Sequence, residues 1–78
     1  MKTTRYFDAT RHREDRRLIR EEWIIEVIAR PLREAIQSDG RIRRWAPISE
    51  AGGRVLRVVL LEDGQTVHNA FFDRRFLP

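Results

Sequence analysis

The sequence predicts an α+β fold in which two N-terminal helices pack on one face of a four-stranded antiparallel β-meander. Before Pro31 the apolar residues recur at the helical period of about 3.6, and after it they alternate with the period of 2 that strands show. Turn-forming pairs then divide the second half at regular intervals, at Asp39-Gly40, Gly52-Gly53 and Asp63-Gly64. Because 78 residues have room for one modest core, we predict a single domain over residues 1–78.

The N-terminal half is predicted to be mainly helical. Residues 1–7 mix β-branched and aromatic side chains, which indicates a short strand or a disordered start. Residues 10–18 have the composition of a helix, with no residue that breaks one. Residues 21–30 form the clearer helix, because apolar residues recur on one side and three glutamates lie on the other. Pro31 ends it, since the residue before a proline is pushed out of the helical region.

The C-terminal half is predicted to be an antiparallel sheet over residues 34–72, followed by a tail at residues 73–78. Each Asp-Gly pair indicates a tight type I′ turn, which needs positive φ at both central residues. The third strand is apolar on both faces and is therefore predicted to be central. The four strands are predicted at residues 34–38, 41–48, 54–62 and 65–72.

The last turn predicts the register of the last hairpin. A two-residue turn at Asp63-Gly64 places Leu60 opposite Val67 on one face and Val59 opposite His68 on the other. The face of Leu60 offers the more continuous apolar surface, so we predict that the helices pack there. The opposite face of the sheet, which carries Val59 and His68, is called the open face below.

The middle loop decides which arginine joins the open face. A four-residue loop at residues 50–53 would put Trp45 on the helix side and Arg44 on the open face. A loop one residue longer would put Arg43 there in place of Arg44. With either loop, Arg57 lies on the open face, so that face is predicted to be basic.

The charge is unevenly distributed and is carried almost entirely by arginine. Fifteen of the sixteen basic residues are Arg, and the formal net charge is +4. Residues 1–20 and 41–60 are strongly basic, whereas residues 21–40 are acidic. This distribution suits a surface that meets a polyanion on one side, although scattered arginines also serve simply to solvate a surface.

Composition also excludes several classes of protein. The absence of cysteine excludes a disulfide framework and a thiolate zinc site, and fits a cytoplasmic location. The two histidines are far apart in sequence and have no partner at ligand spacing, so we predict no metal site and no cofactor. No apolar stretch approaches the roughly 20 residues of a membrane span, and we predict no membrane partner and no signal peptide.

The open face suggests a chemical role for three residues, Arg57, His68 and Arg44. Guanidinium groups offer planar donors that match phosphate, and histidine titrates near neutral pH. Such a set could orient RNA for attack by its own 2′-hydroxyl, with arginine stabilising the developing charge and His68 exchanging a proton. The alternative is that the arginines pair with carboxylates and His68 is an ordinary strand residue.

A second group of arginines is predicted to contact nucleic-acid phosphates. Arg13, Arg16 and Arg17 would share one face of the first predicted helix, and Arg41 and Arg43 lie at the start of the second strand. The same side chains could instead lie open to water.

The segment GGRVLRVVLLEDGQTVHNAFFDRRF resembles a widespread family of short bacterial domains of unknown function, which share a "GRxLRVV…EDG" strand and turn. That family is similar to the RelE, ParE and BrnT toxins of toxin-antitoxin systems, in which two helices pack on a small antiparallel sheet. The resemblance implies a RelE/ParE-like fold and a toxin-like module directed at RNA or the ribosome. Among the positions that match the motif, Arg57 is the one with possible chemistry.

The resemblance also implies partners. A toxin of this kind would bind an acidic antitoxin-like protein, and a homodimer is a further possibility. The alternative hypothesis is a non-catalytic module that binds nucleic acid, or a protein partner through the open face or an exposed edge strand.

Overall fold

Two helices and four strands make up the fold, in the order that the change of period at Pro31 predicts. The computed structural model describes residues 1–77. Its elements are α1 (Arg5–Thr10), α2 (Glu21–Ala29), β1 (Arg33–Ile36), β2 (Ile42–Ile48), a 3₁₀ turn (Ser49–Ala51), β3 (Arg54–Leu60) and β4 (Val67–Phe72). The strands form one antiparallel sheet in the order β1-β2-β3-β4, which confirms the predicted meander with β3 inside it.

The first helix begins earlier than predicted. The Thr4 hydroxyl accepts a hydrogen bond from the Phe7 backbone N–H at 3.1 Å and so caps α1, whose Phe7 side chain is buried in the core. Of the strand predicted at residues 1–7, a single parallel bridge between Thr3 and Val67 is present. Residues 11–18 form successive turns, and the helix predicted there is wrong. That segment has no apolar stripe to bury, and a short helix without one is marginal in water.

The second helix is confirmed almost to the residue. Ile24 and Val27 are buried, and α2 packs on β2 and β3. Arg20 occupies the N-cap position without a side-chain cap bond, while Ile19 before it joins Ile24 in the core cluster. Arg30 leaves the helical region immediately before Pro31, as predicted.

The Asp-Gly turns differ from the predicted type. Gly40 and Gly64 have φ of 89° and 69°, but no other residue type in residues 1–77 has positive φ, so neither turn is type I′. Asp63 instead accepts hydrogen bonds from the backbone N–H groups of Gln65 and Thr66. The aspartates therefore act as side-chain acceptors that close longer loops.

A β-bulge changes the register of the last hairpin. Leu60 lies opposite Val67 as predicted, but Val59 lies opposite Asn69, so the predicted pairing of Val59 with His68 is wrong. Without the bulge the Asn69 amide would face the helices. The bulge turns Asn69 to the open face and places Ala70, 4% exposed, in the core in its place.

The middle hairpin adopts the longer of the two predicted loops. Ile48 lies opposite Arg54, which leaves five residues in the loop and shifts every side chain of β2 to the other face. Arg43 therefore lies opposite Val59 on the open face, and Trp45 opposite Arg57. The predictions that placed Arg44 on the open face and Trp45 on the helix side are wrong.

The open face is partly covered by the chain itself. After β4, residues 73–77 turn back over the sheet: the Trp45 indole N–H donates to Asp73 at 3.0 Å, and Phe76 packs on the Trp45 ring. Trp45 is 8% exposed as a result. The predicted tail is thus a cover for the sheet as far as Leu77, and Pro78 lies outside the described residues.

Candidate nucleic-acid interface

Three arginines lie at the open face, and two of them contact aromatic rings there. Arg43 on β2 and Arg57 on β3 lie on this face by register, and Arg16 reaches it from the loop between the helices. The Arg57 guanidinium carbon lies 5.6 Å from the Trp45 ring centroid and 5.1 Å from that of Phe71. The Arg16 carbon lies 5.3 Å from Phe71. We call Arg16, Arg43 and Arg57 with these rings the arginine face.

The hydrogen bonding of these guanidinium groups is incomplete. Within residues 1–77, the Nε atoms of all three are buried and have no hydrogen-bond partner. Arg16 donates one bond to the Asn69 side-chain oxygen at 2.6 Å. The Arg16 Nε lies 3.7 Å from an Asp15 oxygen, and Arg57 lies 3.8 Å from an Asp73 oxygen. Arg43 forms no ion pair with the described carboxylates. The face therefore holds more positive charge than its carboxylates neutralise.

The titration of Arg57 reflects this excess. Burial first, and then the charge of Arg43, lower the pKa of Arg57, against the opposing effect of Asp73. The hydrogen bond from Trp45 is the largest cause that lowers the pKa of Asp73. Asp73 thus stays ionised and is shared between an indole and a guanidinium, which leaves Arg43 without a counterion of its own.

His68 does not lie with the arginine face. It is the extra residue of the bulge, and its ring stacks on Tyr6 at 4.9 Å between centroids. Its Nδ1 lies 3.0 Å from the Thr4 hydroxyl oxygen. Burial and then the charge of Arg41 lower the pKa of His68. Its contacts are those of a side chain that docks the N-terminal helix on β4.

Arg44 lies on the helix side, away from Arg57. Its Nε donates to the Glu34 carboxylate at 2.6 Å, and its terminal nitrogen donates to the Ile28 carbonyl at 3.0 Å. This is the pairing with a carboxylate that the sequence left open as an alternative. The structure therefore does not bring Arg44, Arg57 and His68 together in one site.

The predicted phosphate-contacting arginines also separate. Arg16 and Arg43 join Arg57, whereas Arg13 and Arg17 are exposed on the turns that replace the predicted helix. Arg41 lies 3.8 Å from Asp39 in the first hairpin. Two of the five predicted residues thus contribute to the arginine face.

A cleft lies beside the arginine face and contains none of the predicted catalytic residues. Its volume is about 610 Å³, and it lies between the loop before α2 and the end of the sheet. Phe71, Phe72 and Arg54 line one side, and Glu14 and Asp15 the other. Its mixture of acidic and basic side chains does not favour an anion, so we do not include it in the interface.

Neither helix in residues 1–77 has the length and apolarity needed to cross a membrane. Over the same residues, no cluster of three His, Cys, Asp or Glu side chains is arranged to hold a metal ion. Comparisons of the chain with protein-family models, curated proteins and solved structures find no match.

Proposed function

We propose that this protein binds RNA through phosphate groups at the arginine face. The observation that carries the proposal is that Arg16, Arg43 and Arg57 are gathered on one sheet face, where Arg43 has no ion pair with the described carboxylates. A phosphate offers several acceptor oxygens and matches the planar donors of guanidinium. Binding one would offset the mutual repulsion of Arg43 and Arg57.

The mode of binding follows from what lies beneath the arginines. Trp45 is nearly buried and Phe71 is half-buried, with guanidinium groups over both rings. These rings are not free to stack on bases, which is the usual basis of sequence-specific RNA recognition. We therefore expect sequence-independent affinity that falls steeply with salt.

Binding is favoured over cleavage because the proposed proton carrier is engaged elsewhere. His68 contacts Thr4 and Tyr6, and Arg44 is paired with Glu34. The toxin-like activity, with RNA or the ribosome as target and an acidic antitoxin-like protein as partner, stays a prediction from the resemblance. A gene for a small acidic protein next to this one would favour it.

The experiment is a fluorescence-anisotropy titration of labelled single-stranded RNA. Three phosphate contacts should give a slope of log K against log salt of about −2. Arg43→Gln should weaken binding severalfold and make the slope shallower. The matched control is Arg30→Gln, which removes the same charge from an exposed side chain just after α2 and should change affinity little.

Two results would overturn the proposal. One is an equal loss of affinity in Arg43→Gln and Arg30→Gln, which would mean that net charge alone attracts RNA. The other is equally strong competition by polyglutamate, which would mean that phosphate is not recognised. Incubating RNA with the protein, with and without ribosomes, tests cleavage separately: products that disappear in His68→Gln would support the toxin-like prediction instead.

A further inference from the structure

One edge of the sheet is partly covered by the chain, and the other is free. At the β4 edge, the Val67 N–H donates to the Lys2 carbonyl at 2.9 Å, and the Thr4 N–H donates to the Val67 carbonyl at 3.0 Å. The N-terminal segment thus covers part of that edge. At the opposite edge, β1 pairs with β2 and with no other strand in residues 1–77.

The free edge of β1 presents backbone groups at two residues. The Gln37 N–H donates to the Arg41 carbonyl at 2.7 Å, so Gln37 is bonded toward β2. Along an antiparallel strand, alternate residues direct their backbone groups to the same neighbouring strand. The backbone groups of Ala35 therefore point toward β2. The N–H and C=O groups of Glu34 and Ile36 point away from β2, to the free edge.

An apolar surface lies next to this edge. Ile36 is 71% exposed on the helix side of β1, and Leu32, which immediately precedes β1, is 61% exposed. The second helix packs mainly on β2 and β3. Two large apolar side chains are therefore left uncovered beside unpaired backbone groups.

The two charged side chains of β1 do not protect its free edge from pairing with another strand. Edge strands are usually protected from pairing by charged side chains. Here the Arg33 guanidinium lies 4.8 Å from the Phe76 ring centroid and donates to the Leu77 carbonyl. Glu34 is held by Arg44. Both charges are thus engaged within the molecule, on opposite faces of the sheet.

We propose that β1 pairs antiparallel with β1 of a second copy, which joins two sheets into one of eight strands around a two-fold axis. The occupant is a second copy because the strand is complementary to itself. With the axis at Ala35, Glu34 of each copy faces Ile36 of the other, and Arg33 faces Gln37. Ile36 then lies diagonal to Ile36 of the second copy, within reach of an apolar contact.

Other registers are less favourable. Outward-bonding residues must face each other, so the axis can lie at Glu34, Ala35 or Ile36. An axis at Glu34 sets two carboxylates directly opposite, which is destabilising. An axis at Ile36 moves the pairing into the hairpin loop and leaves Arg33 unpaired. The small side chain of Ala35 is therefore the position that we place at the axis.

The dimer would also extend the arginine face. Ala35 lies opposite Arg43 on β2, so the two Arg43 residues would be three strand spacings apart, about 15 Å. That separation exceeds the Debye length of about 8 Å at physiological salt, so their repulsion is weak. Dimerisation does not depend on RNA and is tested without it.

The absence of cysteine allows a direct test by cross-linking. Ala35 residues paired across the axis have Cα atoms about 4.5 Å apart, within the range of a disulfide. Ala35→Cys should therefore form a disulfide-linked dimer on mild oxidation. Gln37→Cys places the two cysteines roughly 13 Å apart, too far to bridge. It should stay unlinked, as should Leu18→Cys, which is also exposed but is not part of β1.

Sedimentation equilibrium of the wild-type protein tests the same interface. The apparent mass should double from 9.4 kDa as concentration rises. Ile36→Pro removes an outward-pointing N–H without breaking the β2 ladder, so it should stay monomeric with an unchanged circular dichroism spectrum. Ile36→Asp should also stay monomeric, and it serves as the second variant if the proline variant does not fold. Leu18→Asp should dimerise as the wild type does.

Two outcomes would overturn the proposal. One is a wild-type protein that stays monomeric at roughly millimolar concentration. The other is cross-linking of Leu18→Cys equal to that of Ala35→Cys.

Discussion

Two adjacent arginines on β2 have different roles because neighbouring residues of a strand face opposite sides of the sheet. Arg43 and Arg44 are chemically identical, yet they lie on opposite faces of the sheet. Arg44 is held by Glu34 and by the Ile28 carbonyl, whereas Arg43 has a like charge, Arg57, as its electrostatic neighbour. We therefore expect their substitutions to have separate effects.

Arg44→Gln should lower the free energy of unfolding by about 1 kcal/mol, because the ion pair that it removes is partly exposed and screened by solvent. Arg43→Gln should leave stability unchanged or raise it slightly, since it removes repulsion from Arg57. Urea unfolding measured at one pH for both variants checks this. A larger loss in Arg43→Gln than in Arg44→Gln would contradict the assignment of the two faces.

His68 predicts a dependence of stability on pH. Its pKa is lowered from 6.5 in the folded protein, so below about pH 6.5 the unfolded chain binds a proton that the folded chain resists. Stability should therefore fall as pH decreases from 7.5 to 5.5. His68→Phe keeps a ring against Tyr6 but cannot titrate, and its thermal midpoint should fall less over that range. His12→Gln, which alters the exposed histidine, should follow the wild type; a His68→Phe variant with the full decrease would refute the prediction.

At the scale of elements, the sequence was informative where one local pattern decides the structure. The second helix follows from its apolar spacing, and the meander from the regular turns and alternation. The first helix was predicted at residues 10–18 from composition alone, although that segment lacks an apolar stripe. It forms instead at Arg5–Thr10, where Thr4 supplies a cap and Phe7 reaches the core. Tertiary packing therefore overrode helix propensity in that segment.

The three residues of the predicted catalytic site lie apart for a different reason, which is that register is sensitive to a single inserted residue. The pattern of β3 alone places Arg57 on the open face, and the structure confirms that position. The positions of His68 and Arg44 each depend on one inserted residue, a bulge in one hairpin and a longer loop in the other. An amide at Asn69 on an otherwise apolar face was the signal that could have indicated the bulge.

Thr4 gives a test of the N-terminal element. Its hydroxyl caps α1 and also contacts the His68 ring, so Thr4→Ala should lower the free energy of unfolding by about 1–2 kcal/mol. Thr4→Ser keeps the hydroxyl and should stay within about 0.5 kcal/mol of the wild type. Urea unfolding of the two variants measures the difference. Equal losses would mean that the hydroxyl does not hold the helix.

At the scale of the whole molecule, arginine serves as a cover for aromatic rings. Every Phe and Trp ring has a guanidinium carbon between 4.1 and 5.8 Å from its centroid. A small domain buries a limited share of its surface, and planar guanidinium groups can shield rings that a compact ammonium cannot. This accounts physically for much of the excess of arginine over lysine, apart from any contact with RNA.

Replacing stacked arginines by lysine at constant net charge tests this account. The triple variant Arg20→Lys, Arg33→Lys and Arg54→Lys removes the guanidinium groups over Trp23, Phe76 and Phe72. An exposed stack contributes about 0.5–1 kcal/mol and lysine keeps part of that attraction, so the triple variant should be less stable than the wild type by about 1 kcal/mol. The control replaces three exposed arginines that contact no ring within residues 1–77: Arg5, Arg13 and Arg17. The control should unfold at the wild-type urea concentration, because lysine solvates a surface as well as arginine does. Equal stability of the two triple variants would show that the rings do not need arginine, and the excess would then reflect composition alone.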